Sequence, residues 1–119
     1  MSLAKDYTRL CHMRDFAQKA VQFTRGRVRK DLDTDEVLAL AVVHLVEIIG
    51  EAARNISPDL RQRHTEIPWN LVIGTRDRLA HGYIEVNLDI IWAIVTKDLP
   101  PLIAQLQKVL EKEADSACT

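Results

Sequence analysis

Side chains that can do chemistry are concentrated between residues 76 and 83 of this chain. The segment contains Arg76, Asp77, Arg78, His81 and Tyr83. An arginine can hold a phosphate through two parallel hydrogen bonds, and a histidine can transfer a proton near neutral pH. A tyrosine offers a hydroxyl that can be modified. We therefore take this segment as the candidate functional site.

Helical spacing decides which of these side chains can cooperate. Asp77 and His81 are four residues apart, so they share a helix face, and the carboxylate can orient the imidazole. Arg76 is five residues before His81, about 140° around an ideal helix. The two meet if the last turn unwinds at Gly82, if the arginine side chain wraps around the helix, or if a second protomer supplies one of them. Spacing alone leaves all three arrangements open.

The same residue types also have ordinary structural roles. A histidine in a last helical turn is stabilised by the helix dipole, and an arginine near it often lies on a solvated face. A tyrosine after a glycine often packs against the core. Physical chemistry alone therefore makes residues 76–83 a candidate site without assigning an activity.

Composition limits the class of protein. The chain has 119 residues, which suits one domain, and 16 Lys+Arg against 17 Asp+Glu leave a formal net charge of -1. Bulk charge therefore gives no case for nucleic-acid binding. Two cysteines without zinc-site spacing fit a reducing cytoplasm, and the sequence shows no signal peptide or membrane span. We expect a cytoplasmic protein that needs no membrane, metal or cofactor.

Apolar periodicity predicts helices almost throughout and no strand. The first helix runs from Leu3 to Thr24 and stops at Gly26, and Asp33 is the expected cap of the second. Asn87 is expected to cap the last helix, which Pro100-Pro101 must kink or split. The prediction is an all-α, up-and-down bundle of four to five helices. Residues 1–113 form its single domain and residues 114–119 a frayed polar tail, with the polar character beginning at Glu113.

The second helix, Val37 to Ile56, is apolar around most of its circumference. Its polar residues fall in one stripe, which contains His44, Glu47, Glu51 and Arg54. Such a helix needs more than one neighbour, so one side is expected to pack in the protomer and another in a dimer. The stripe is either a solvated face or the lining of the cleft that receives His81. The basic segment 25–30 is likewise either a solvated turn or a phosphate contact.

The spacing Arg, four residues, His, one residue, Tyr resembles the signature of HepT, the toxin of the HepT–MntA toxin–antitoxin pairs in the HEPN superfamily. The flanking sequences resemble it too, over about residues 4–110. They are Glu47-Ile-Ile-Gly-Glu-Ala-Ala, Ile67-Pro-Trp, Ile91-Trp and Asp98-Leu-Pro-Pro. The resemblance implies a HEPN-type helical homodimer whose two motifs face a shared cleft.

The resemblance also implies an activity. It is a metal-independent ribonuclease activity, with tRNA as a substrate of some members. Our own hypothesis is that the cleavage is endonucleolytic and proceeds through attack of the 2′-hydroxyl on the adjacent phosphate. Arg76 and His81 carry over as the catalytic pair and Asp77 as the polar neighbour. Arg78, which is three residues before His81, is expected from its position to add a supporting positive charge. Tyr83 carries over as the hydroxyl to which a MntA-like nucleotidyltransferase antitoxin transfers AMP. The alternative is a HEPN dimer without catalysis that acts as the binding partner of a nucleotidyltransferase.

Overall fold

The computed structural model describes residues 3–79 and 86–118, with side chains for residues 5–75 and 86–114. This part of the chain contains helices and no strand, which confirms the all-α prediction. The elements are α1 (Leu3–Thr24), α2 (Asp31–Thr34), α3 (Glu36–Arg54), α4 (Pro58–Arg63), α5 (Trp69–Leu79), α6 (Leu88–Ala93), a π-helical turn (Ile94–Asp98) and α7 (Leu99–Cys118).

Helices α1 and α3 pack side by side in opposite directions. The chain reverses after α1 at Gly26, whose φ of 76° is in the left-handed region that favours glycine, as predicted. At the other end of the pair, Asp6 of α1 accepts hydrogen bonds from the backbone N–H of Ser57 (3.0 Å) and from its hydroxyl (2.6 Å). Asp6 is only 4% exposed, so this contact ties the start of α1 to the start of α4 inside the protein.

The cap of α3 is Asp35, and the prediction that Asp33 caps it was wrong. Asp35 has an extended backbone, and its side chain accepts a hydrogen bond from the N–H of Leu38 at 3.0 Å. Asp33 lies inside the short helix α2 and pairs instead with Arg29 at 3.1 Å. Because residues 31–34 already form a helical turn, only Asp35 has the extended conformation that a capping side chain needs.

The α-helix that was expected to run from Leu88 to the end of the chain is interrupted at residues 94–98, slightly before the expected position at Pro100-Pro101. Residues 94–98 form a π-helical turn, in which the N–H of Leu99 donates to the carbonyl of Ile94. Pro100 and Pro101 then occupy the first turn of α7, and neither has a backbone N–H to donate to the preceding turn. The π-helical turn therefore lies directly before the point where the prolines interrupt the regular helical hydrogen bonds. Asn87 caps α6 as predicted, accepting from the N–H groups of Asp89 and Ile90.

The core lies between α1, α3, α5 and α7. Its largest fully buried side chains include Leu10, Met13, Val42, Leu106 and Val109. Helix α3 packs against both α1 and α5, and α7 packs against α1. This arrangement holds α5, the helix that leads into the candidate site, against the middle of the bundle.

Glu113 belongs to the folded bundle, so the expectation that a frayed polar tail starts at Glu113 was wrong for this residue. Its side chain is buried, accepts a hydrogen bond from Arg63 at 3.2 Å and lies 3.0 Å from Nε2 of His64. The backbone of α7 stays helical through Cys118. Fraying of residues 114–119 stays a prediction.

Candidate functional site at the end of helix α5

Helix α5 positions the first part of the candidate site. Trp69 opens the helix and donates its indole N–H to the carbonyl of His64 at 2.9 Å. Trp69, Val72 and Thr75 are buried at three-residue steps, which fixes the rotation of α5 in the bundle. The backbone of residues 76–79 completes the helix. Helix α5 therefore leads directly into the last part of the candidate site.

The predicted catalytic pair is described only in part. Arg76, Asp77 and Arg78 lie in the last turn of α5, but their side chains are outside the described residues, as are His81 and Tyr83 altogether. The separation of Arg76 from His81 thus stays a prediction. Ideal helical register puts position 76 one turn after Val72 along α5, and position 77 about 100° further round the helix axis.

The chain that leaves the site is anchored at the start of α6. Nε of Arg29 donates to Oδ1 of Asp89 at 2.6 Å, joining the loop after α1 to the first turn of α6. This hydrogen bond to Asp89, and a second interaction with Asp33, raise the pKa of Arg29 above its ordinary value. Helix α5 and this ion pair therefore hold the two ends of the segment that contains His81 and Tyr83.

The basic segment 25–30 is partly neutralised by its neighbours. Arg29 contacts Asp33 and Asp89, and Arg27 lies 3.5 Å from Asp35. Of the two interpretations of this segment, a solvated turn held by ion pairs therefore fits the structure better than a phosphate site.

The polar stripe of α3 is exposed along its whole length. His44, Glu47, Glu51 and Arg54 all lie on the surface, opposite the buried face of the helix. Val37 and Leu40 extend this exposed face towards the start of α3, with exposed fractions of 78% and 64%. The structure thus keeps the four polar residues on one face, whereas their part in a cleft with His81 stays a prediction because His81 lies outside the described residues.

An apolar cavity lies beside α5, between α3 and α7. Its volume is about 170 Å³, and its walls include Val46, Val72, Thr75, Ile94 and Leu102. Among the described residues that line it, Asp98 is the one with a titratable side chain. The cavity borders the turn of α5 that precedes Arg76.

Two further properties bear on the kind of site. Within residues 3–79 and 86–118, no three His, Cys, Asp or Glu side chains come together in a way that could hold a metal ion. None of the helices in the same ranges combines the length and the apolar character that crossing a bilayer requires.

Two buried polar contacts were missed by reasoning from sequence alone. They are the Asp6–Ser57 and His64–Glu113 pairs, whose partners are 51 and 49 residues apart in the chain. Ser57 before Pro58 is a recognisable helix start. No local pattern, however, identifies Asp6 as the partner of Ser57 or Glu113 as the partner of His64. Both pairs lie in the framework of the bundle, away from the end of α5.

Comparison with known proteins identifies the family. The family model described as "HepT-like: Ribonuclease HepT-like" matches residues 13–109, which include all of α5 and the segment 76–83. No solved structure matches the chain significantly.

Two curated relatives extend this match over most of the chain. The "Putative RNase TTE0752" of Caldanaerobacter subterraneus subsp. tengcongensis is 36% identical over 102 residues, covering 86% of this chain and 91% of the relative. The "Probable ribonuclease HepT" of Thermococcus cleftensis is 38% identical over 88 residues, covering 74% of this chain and 80% of the relative. The chain therefore belongs to the HepT-like ribonuclease family.

Proposed function

We propose that this protein is a metal-independent endoribonuclease that cuts RNA by attack of a 2′-hydroxyl on the adjacent phosphate. The observation that carries the proposal is the family match over residues 13–109, which contains the complete Arg-four-His-one-Tyr spacing. Arginine and histidine are side chains that can catalyse this reaction without a metal.

In the proposed mechanism, His81 and Arg76 divide the work. His81, or its copy in a second protomer, takes the proton of the 2′-hydroxyl, whose oxygen then bonds to phosphorus. The bond from phosphorus to the 5′-oxygen breaks, and that oxygen receives a proton. Arg76 holds the phosphate and stabilises the negative charge of the transition state. The products are a 2′,3′-cyclic phosphate and a free 5′-hydroxyl.

Asp77 and Arg78 have supporting parts in this proposal. Asp77 precedes His81 by four residues and orients the imidazole, and Arg78 adds positive charge near the phosphate. We further propose a homodimer with the two motifs in one cleft, lined by His44, Glu47, Glu51 and Arg54. The exposed apolar side chains of Val37 and Leu40 on the same face of α3 support a protein contact there.

The proposal extends to regulation. The protein acts as a cytoplasmic toxin on RNA, with tRNA as a candidate substrate, and a MntA-like nucleotidyltransferase silences it by transferring AMP to Tyr83. Tyr83 is two residues from His81, so a bound AMP would bring bulk and negative charge next to the phosphate site.

A cleavage assay tests the nuclease. The purified protein is incubated with RNA, including tRNA, in the presence of a chelator, and the ends of the products are identified. We expect cyclic phosphates from the wild type and a rate loss of about 100-fold or more in Arg76→Ala and in His81→Ala. His12→Ala is the matched control, because His12 is an exposed histidine on α1. Wild-type rates in His81→Ala, or loss of activity with the chelator, would contradict the mechanism.

A second function, that of a non-catalytic partner for a nucleotidyltransferase, has one observation in its favour. The net charge is -1, and nearby carboxylates neutralise much of the basic segment 25–30, so the described surface offers little general attraction for RNA. Expression in cells separates the two functions. Toxicity that disappears in Arg76→Ala supports the nuclease, whereas toxicity that Arg76→Ala retains, or no toxicity at all, supports the binding partner.

A further inference from the structure

The cavity beside α5 combines apolar walls with a rim that reaches the surface. Its volume is about 170 Å³, and its buried lining consists mainly of aliphatic side chains, among them Val46, Ile49, Val72, Ile94 and Leu102. Leu71, Asp98 and Pro101 also line the cavity and are exposed, so this side of it opens to solvent. Apolar cavities of about 150 Å³ bind molecules as large as benzene, so this one has room for a six-membered ring.

The uncharged polar side chains in the described wall of the cavity already form hydrogen bonds inside the chain. The hydroxyl of Thr75 donates to the carbonyl of Leu71 at 2.9 Å, and the side-chain amide of Gln105 donates to the carbonyl of Glu66 at 2.9 Å. A buried water needs about two to four polar partners, and these walls provide few. An apolar guest therefore suits the cavity better than water does.

The rim of the cavity carries a negative charge. Asp98 lines it, and no lysine or arginine is found among the described lining residues. The π-helical turn explains this placement, because its hydrogen bond from the N–H of Leu99 to the carbonyl of Ile94 sets residues four and five apart on one side of the turn. Ile94 is thus buried in the wall while Asp98 stays exposed at the rim. A carboxylate in this position attracts a cation and repels an anion.

We propose that this cavity is a binding site for a small apolar amine, whose ring or branched chain lies against Val46 and Leu102 and whose ammonium group faces Asp98. An apolar amine is the class of ligand that matches both an aliphatic wall and a single carboxylate at the rim. The site is separate from residues 76–83, and binding to it does not depend on the proposed ribonuclease function. A guest of about eight non-hydrogen atoms is expected to bind with a Kd on the order of 1 mM.

Three probes that share one aromatic ring test the location and the charge preference of the site. Benzylamine is a cation, benzyl alcohol is neutral and benzoate is an anion. Each is titrated into the full chain with ¹³C-labelled methyl groups, and the NMR shifts of Val46, Val72 and Leu102 report where the probe binds and how tightly. We expect saturating shifts at these methyl groups, with benzylamine binding about fivefold more tightly than benzyl alcohol and benzoate binding most weakly.

The substitution Asp98→Asn tests the carboxylate, because it removes the charge and keeps the size of an exposed side chain. Benzylamine should lose its preference and bind as weakly as benzyl alcohol, while the affinity for benzyl alcohol should stay unchanged. Asp59→Asn removes an exposed carboxylate of α4 that is not among the lining residues, so this matched control should keep the fivefold preference of the wild type, about as measured before. High salt should reduce the same preference in the wild type.

The substitution Val72→Ile tests the apolar wall, because the added methylene group narrows the cavity. It should weaken the binding of all three probes several-fold and leave their order unchanged, since the charge at Asp98 is untouched. The melting temperature of the variant shows whether the fold is kept. Because Asp98 is exposed, Asp98→Asn tests the site independently of any change in packing that Val72→Ile causes.

Several results would overturn the proposal. One is the absence of shifts at Val46, Val72 and Leu102 up to about 10 mM benzylamine, an order of magnitude above the expected Kd. Equal affinities for the three probes, or a preference for benzylamine that Asp98→Asn leaves unchanged, would also contradict it. Shifts that grow without saturation at the exposed side chains of Val28 and Leu40 would show non-specific adsorption and would overturn it as well.

Discussion

Oε2 of Glu113 lies 3.0 Å from Nε2 of His64, joining the C-terminal part of α7 to the chain just before α5. Both side chains are buried, with exposed fractions of 3% and 6%. Since α5 leads directly into residues 76–83, this contact stabilises the framework on which the proposed active site stands.

The substitution Glu113→Ala should therefore destabilise the protein. It removes the acceptor of both His64 and Arg63 and leaves the buried imidazole without that partner, a loss of about 2–3 kcal/mol in the free energy of unfolding. Urea unfolding measures it. Glu111→Ala, an exposed position on the same helix, is the control and should stay within about 0.5 kcal/mol of the wild type. Equal free energies of unfolding for Glu113→Ala and Glu111→Ala would show that the buried contact contributes no stability.

Loss of the buried contact between Asp6 and Ser57 should destabilise the protein by a similar amount. Asp6→Ala leaves the buried N–H and hydroxyl of Ser57 without their acceptor, at a cost of about 2–3 kcal/mol. The matched control is Asp15→Ala, which removes an exposed carboxylate on α1 that pairs with its neighbour Arg14, and it should change little. Thermal and urea unfolding distinguish them, and a neutral Asp6→Ala would mean that the contact is absent in solution.

The cavity beside α5 should accept a larger side chain. Val72→Ile adds one methylene group at the wall of a cavity of about 170 Å³ and should stabilise the protein by about 0.5–1 kcal/mol. The same change at Val28, which is 61% exposed, should have no measurable effect. Destabilisation by Val72→Ile would indicate that the cavity is already filled, by repacking or by a bound molecule.

Tyr83 should separate regulation from catalysis. On the proposed function, Tyr83→Phe removes the only atom to which AMP is transferred and leaves Arg76 and His81 in place. Co-expression with a MntA-like nucleotidyltransferase should add the mass of AMP to the wild type and nothing to Tyr83→Phe, which should stay toxic. Mass spectrometry of the intact protein reads the difference. AMP found on Tyr7, the other tyrosine in the chain, would contradict the assignment.

The cap of α3 and the partner of Arg29 are two features that the local sequence does not determine. The sequence predicted Asp33 as the cap of α3, and only the turn formed by residues 31–34 decides that Asp35 caps the helix instead. Arg29 could be read as a phosphate ligand until the structure places Asp89, 60 residues away, against its Nε. The choice in each case depends on a backbone conformation or a contact that spacing does not encode.

The sequence by itself determined the all-α class, the reversal at Gly26, the cap at Asn87 and the motif in residues 76–83 that leads to the family. Each of these features depends on a few neighbouring residues, through helical periodicity, capping or a short spacing. Each can therefore be predicted without knowledge of the tertiary structure. The tertiary structure alone decided that Asp6 is buried against Ser57, that Glu113 is buried against His64, and that the π-helical turn precedes the prolines. Burial and long-range pairing arise only when helices distant in the chain pack together, because water then leaves the groups that it would otherwise satisfy.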